Sequence, residues 1–166
     1  MKDVWNLEPL YRSFEDPAFE EDVSRLTRCL EDFEAFTREP AAGENASRLS
    51  RGLELMEQVT QLVEKLVTYA LLRQTADTRD PAVSSQLGRL MNLASASAAP
   101  EAAFKGWICS LENLTQLVQT HPELQHYRFL LESIQDSGRY LLPDIGEKIV
   151  AKLQLSGSNA WAELQQ

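Results

Sequence analysis

Apolar residues along this chain recur at helical spacing almost from its start. Phe19, Val23, Leu26, Leu30 and Phe33 are separated by 4, 3, 4 and 3 positions, and Glu20, Glu21, Arg25, Arg28, Glu31 and Asp32 fill the gaps between them. This pattern predicts an amphipathic helix with one stripe facing a core. Asp16 before Pro17 supplies an N-cap followed by proline at the first helical position, where no N–H is lost. The helix should end near Glu39, because Pro40 biases its predecessor away from α geometry and Ala41-Ala42-Gly43 follows.

A longer pattern spans about 46–78, with Leu49, Leu53, Met56, Val59, Leu62, Val63, Leu66, Tyr69, Ala70 and Leu72 on a broad apolar face. At the usual rise this is about 50 Å of helix, the height of a whole domain. Asp80-Pro81 repeats the cap-plus-proline start. The third helix carries Val83, Leu87, Leu90, Met91 and Ala94, passes through the small residues Ala94–Ala99, where a neighbouring backbone could come close, and must kink or break near Pro100. Phe104, Trp107, Ile108, Leu111 and Leu114 continue its apolar face.

Thr120-His121-Pro122-Glu123 opens another helix with Leu124, Tyr127, Leu130, Leu131 and Ile134 inward and Gly138 as its stop. A further helix from Pro143 to Lys152 carries Ile145, Ile149, Val150 and Leu153. Ser156-Gly157-Ser158 separates it from a last segment with Trp161 and Leu164. Nowhere do β-branched residues alternate with polar ones at period two. The expected fold is therefore all-α: an elongated bundle of five to six helices, with residues 1–155 as the helical domain and 156–166 as the start of a connection.

Composition adds limits more than chemistry. The 166 residues are 43% hydrophobic and 25% charged, ordinary for a globular protein. A net charge of −9 and a pI near 4.7 oppose binding to nucleic-acid phosphates or anionic lipid. Cys29 and Cys109 stand far apart and form no metal or redox motif, so both are expected as small core residues. No apolar stretch long enough for a membrane span or a signal peptide appears, which makes a cytoplasmic location the expectation.

Candidate reactive groups are few. His121 and His126 invite comparison with the zincin motif H-E-x-x-H, yet a five-residue separation turns them about 140° apart on a helix, and Pro122 occupies the position of the catalytic Glu. Glu123 and His126 match the E-x-x-H spacing of di-iron bundles, but Val118 stands where a second copy would need Glu. Both histidines are expected at the surface or at a cap. Glu15-Asp16, Glu20-Glu21-Asp22 and Glu31-Asp32 with Glu34 are expected as solvated faces, because adjacent helical carboxylates diverge and no apolar wall raises one pKa over another. Nucleotide-binding and serine-hydrolase motifs are absent. Trp107 lies on a helix stripe and is expected in the core. Trp5 and Trp161 flank the helical body, where such rings either pin a terminus to its own domain or dock on a neighbouring one.

Several segments, in order, resemble the N-terminal region of the oligoendopeptidase F family of zinc peptidases. They are Trp5-Asn6-Leu7-Glu8-Pro9-Leu10-Tyr11, Phe14-Glu15-Asp16-Pro17-Ala18-Phe19, Tyr69-Ala70-Leu71-Leu72 running into Ala76-Asp77-Thr78-Arg79-Asp80-Pro81, and Leu155-Ser156-Gly157-Ser158-Asn159-Ala160-Trp161. The resemblance implies an all-helical protein that forms one wall and cover of a channel admitting short peptides. It implies a single zinc held by H-E-x-x-H and a later Glu in a catalytic domain that these residues do not include. No catalytic, cofactor or metal residue transfers to this sequence. Its implied partners are its own catalytic domain and short peptides in the channel, with Trp5, Trp161 and Leu164 as interdomain contacts. Gly88, Pro100 and Gly106 weaken the third helix and depart from the family's pattern. The rival expectation is a stand-alone helical module that binds a partner's amphipathic helix.

Overall fold

A computed structural model of the protein describes residues 7–39, 43–76 and 81–138. Helix α1 (Pro17–Arg38) starts as its sequence dictates, with the Asp16 carboxylate accepting the Ala18 N–H at 3.0 Å and Pro17 in the first turn. Its stripe of Phe19, Val23, Leu26, Leu30 and Phe33 is buried together with Cys29. Helix α2 (Asn45–Ala76) runs for 32 residues and packs against α1 along one flank. Its buried face is wider than expected, adding Ala46, Gly52 and Leu55 to the predicted leucines.

The bent helix follows. α3 (Pro81–Ala96) and α4 (Ala98–Cys109) meet at Ser97, whose backbone remains right-handed α at φ −71° and ψ −21°. The bend falls where proline chemistry puts it. Pro100 has no N–H for the Ala96 carbonyl and its ring crowds that carbonyl, so the regular ladder stops one turn before the proline itself. Ser97 N–H instead reaches Ala94 O at 3.2 Å, and Glu101 N–H reaches Ser97 O at 3.0 Å. The predicted kink near Pro100 is therefore a continuation with one irregular residue.

Beyond α4 the chain is more broken than periodicity suggests. The stripe through Leu111 and Leu114 crosses a non-helical step, because Ser110 and Leu111 tighten to i→i+3 bonds with Trp107 and Ile108 and close the helix. Leu111 is buried from this turn. α5 (Leu114–Thr120) then ends at His121, held extended at φ −117° and ψ 102° because Pro122 disfavours α geometry before it. α6 (Pro122–Gln125) and α7 (Arg128–Gly138) replace the single helix expected from Pro122, with a tight turn at His126–Tyr127 between them. Leu124, Leu131 and Ile134 are buried as predicted, whereas Leu130 is exposed. The expected helix at 143–152 and the 156–166 connection lie outside the described residues.

Seven helical segments, two of them halves of one bent helix, thus form an all-α bundle with no strand among the described residues. α2 is its hub, touching α1, α3, α4 and α6. Residues 7–16 cross the bundle and bury Tyr11 and Phe14, which meet Phe19 and Tyr69 edge-to-face with ring centroids 5.0–5.4 Å apart. A second aromatic group joins Phe33, Phe36, Phe104 and Trp107, with the Trp107 ring stacked on Phe104 at 5.9 Å. The Arg48 guanidinium lies over Phe36 and Trp107, and it donates to the Phe36 and Glu39 carbonyls at 3.2 and 3.0 Å, so one cation closes the C-terminal end of α1.

Gly52 explains how α4 reaches α2. A β-carbon there would overlap the Phe104 ring, so the ring packs directly on the α2 backbone. Gly88, in α3, faces open space. The two glycines should therefore respond oppositely to the same change. Gly52→Ala should destabilise the protein by about 1–3 kcal/mol through overpacking, while Gly88→Ala should stabilise it by about 0.5–1 kcal/mol through the helix backbone alone. Urea unfolding of both variants checks this, and equal shifts for the two would contradict it.

Candidate functional site

The outer faces of the helices differ sharply in chemistry. α1 exposes Glu20, Glu21, Arg25, Arg28, Glu31, Asp32, Glu34 and Arg38. The bent helix exposes Ala82, Ser84, Ser85, Gly88, Met91, Asn92, Ser95, Ala96, Ala98, Ala99, Ala102, Ala103 and Gly106, and Arg89 is the one charged residue at its exposed positions. Arg89 turns to α1 and forms a two-pronged pair with Glu20 at 2.8 and 3.2 Å. Half-buried Glu101 and Lys105 pair with each other at 3.1 Å. The hydroxyls of Ser95 and Ser97 donate to their own helix, at Asn92 O and Ala94 O.

The result is a smooth face without free charge. Covering it removes no unpaired ion from water and freezes little side-chain rotation, since alanine and glycine have none to lose. The small-residue run Ala94–Ala99, expected to seat a neighbouring backbone, is largely exposed among the described residues. Met91, expected inward, lies on this face at 54% exposure.

The acidic clusters are not uniformly solvated. Asp22 lies half-buried between α1 and α2, accepting the Tyr11 hydroxyl and the Lys65 ammonium, each at 2.6 Å. Lys65 also sits over the Tyr11 ring at 4.6 Å. Burial alone would raise the Asp22 pKa, but the bonds from Lys65 and Tyr11 outweigh it and hold the carboxyl below its ordinary range. Burial and the Asp22 carboxylate in turn push the Tyr11 hydroxyl upward. Glu20 is lowered by its hydrogen bond from Arg89. The Tyr11-to-Asp22 contact joins residues eleven apart, and the one sequence signal for it was the isolated Tyr11 before the cap.

His121 joins α5 to α6. Its Nδ1 is 3.2 Å from a Glu123 carboxylate oxygen and its Nε2 is 4.0 Å from Glu44. The two carboxylates sit at opposite nitrogens of one ring, so the three side chains do not converge on a point where zinc could bind. His126 is exposed, with its ring against Tyr127. Among the described residues no group of three or more His, Cys, Asp or Glu side chains could hold a metal ion. The zinc implied by the resemblance does not fit these residues.

The remaining expectations resolve unevenly. Cys29 is buried and Cys109 half-buried, both as free thiols. Trp107 is half-buried, packed against the core rather than within it. An open cleft of about 500 Å³ between the end of α1 and the start of α2 is lined by residues of both signs, including Asp32, Glu44, Arg48 and Arg51. Trp5, Trp161 and Leu164 lie outside the described residues. No described helix is long and apolar enough to cross a membrane.

Against this geometry, residues 98–166 match the family model described as Oligopeptidase F, a model of the N-terminal part of M3 peptidases. Over that span the chain is similar to the N-terminal domain of the oligopeptidase F family. The matched span begins at the first residue of α4 and takes in α5, α6 and α7. No curated protein and no solved structure matches the chain.

The Asp22 contacts give a test with a definite sign. A carboxyl lowered in the folded state stabilises it above the unfolded pKa near 3.9, and that stabilisation disappears as pH falls through the lower folded value. Asp22→Asn should cost about 1–2 kcal/mol at neutral pH, mostly because the amide oxygen accepts the Tyr11 hydroxyl without the charge that strengthens the bond, the Lys65 pair being solvent-screened. It should also flatten the loss of stability below pH about 4. Urea unfolding at neutral and acid pH would show both effects, and an unchanged acid limb would contradict the assignment.

Proposed function

We propose that this domain forms a wall of the peptide channel of an oligopeptidase F-type zinc peptidase, restricting entry to short unstructured peptides and carrying no catalytic group of its own. The observation that supports this most is the family match over residues 98–166. The physical case rests on two features. A channel wall must stay rigid over tens of ångströms, and α2 supplies 32 residues of continuous helix with neighbours along its length. A channel that accepts many sequences needs a lining without selective charge, and the outer face of α3 and α4 has that character.

In this reading the smooth face lines the channel, and the partner is the catalytic domain of the same peptidase, located in the cytoplasm. That domain would hold the zinc, which when bound would supply Lewis-acid activation of water and of the scissile carbonyl. The present residues confine the substrate and exclude folded proteins. The rival reading, a helical interaction module, draws support from Phe129, an apolar ring 84% exposed on α7. It predicts that an amphipathic helix binds the isolated chain and that Phe129→Ala abolishes this binding.

The test uses quenched fluorescent peptides of increasing length. The chain alone, with zinc added, should cleave none of them. Joined to a catalytic domain of the family it should support cleavage of the short members. Ala102→Arg on the smooth face should change stability by less than about 0.5 kcal/mol, as exposed substitutions do, while reducing turnover more for the longer peptides than for the short ones. Zinc-dependent cleavage by the chain alone that is lost in His121→Ala would overturn the proposal, as would a catalytic domain whose length preference ignores Ala102→Arg.

A further inference from the structure

We draw no further inference here: the strongest candidate, the outer surface of α7 where Phe129 and Leu130 are exposed beside a shallow hollow lined by Ser133 and Ser137, carries nothing because nothing in the structure shows what covers it.

Discussion

The contact on which the arrangement depends most is the seating of the Phe104 ring against the α2 backbone at Gly52. α1 and α2 pair along their apolar stripes, and the chain from Pro81 onward must then be fastened to that pair. α3 packs along α2 directly, and Phe104 seats α4, with Phe33 and Phe36 of α1 edge-on to it and Trp107 stacked behind. Any side chain at position 52 would hold the ring off and α4 with it. Because α4 also packs against α7, displacement at this point would reach the far end of the described chain. The α4 half of the smooth face proposed to line a channel takes its position relative to α2 from this contact, and the α3 half from its own packing on α2.

Charge is distributed unevenly over the helices. The acids and bases of α1 are turned to solvent or used to join helices, as with Glu20 to Arg89 and Asp22 to Lys65. Exposed pairs of this kind contribute little to stability individually. Their consequence here is spatial, since they draw Arg89 off the outer surface of α3 and leave that surface neutral. Tyr127 does similar work on the other side of α2, donating to Glu57 at 2.5 Å.

Much of this was legible in the residues, and the failures have physical causes. α1 was clear because capping, proline and period agree within one segment. The bend was clear because proline's effect one turn upstream is steric and local. The breaks after Cys109 and at His126–Tyr127 were hidden because apolar spacing continues through them, with Leu111 buried from a turn as well as it would be from a helix. Leu130 was misplaced for the same reason, since a single assumed helix set its phase. The Asp22 contact joins three segments, and no local pattern announces it. Gly52 is a glycine inside a strong helix, a position that lowers helix stability unless packing requires it, and the sequence does not say which ring it admits. The Oligopeptidase F resemblance rested on ordered short segments and not on any reactive residue; the family model matches residues 98–166, which take in the last of those segments.

The most direct test of this account is a double-mutant cycle between Gly52→Ala and Phe104→Leu, read by urea unfolding. Each change alone should destabilise the protein, one by crowding the ring and the other by shrinking it. If the ring is seated on the α2 backbone, the smaller leucine accommodates the new methyl, and the double variant should be more stable than the sum of the single losses by at least about 1 kcal/mol. Additivity to within about 0.5 kcal/mol would mean that Phe104 and Gly52 act independently, and that α4 is held to the α1–α2 pair by something else.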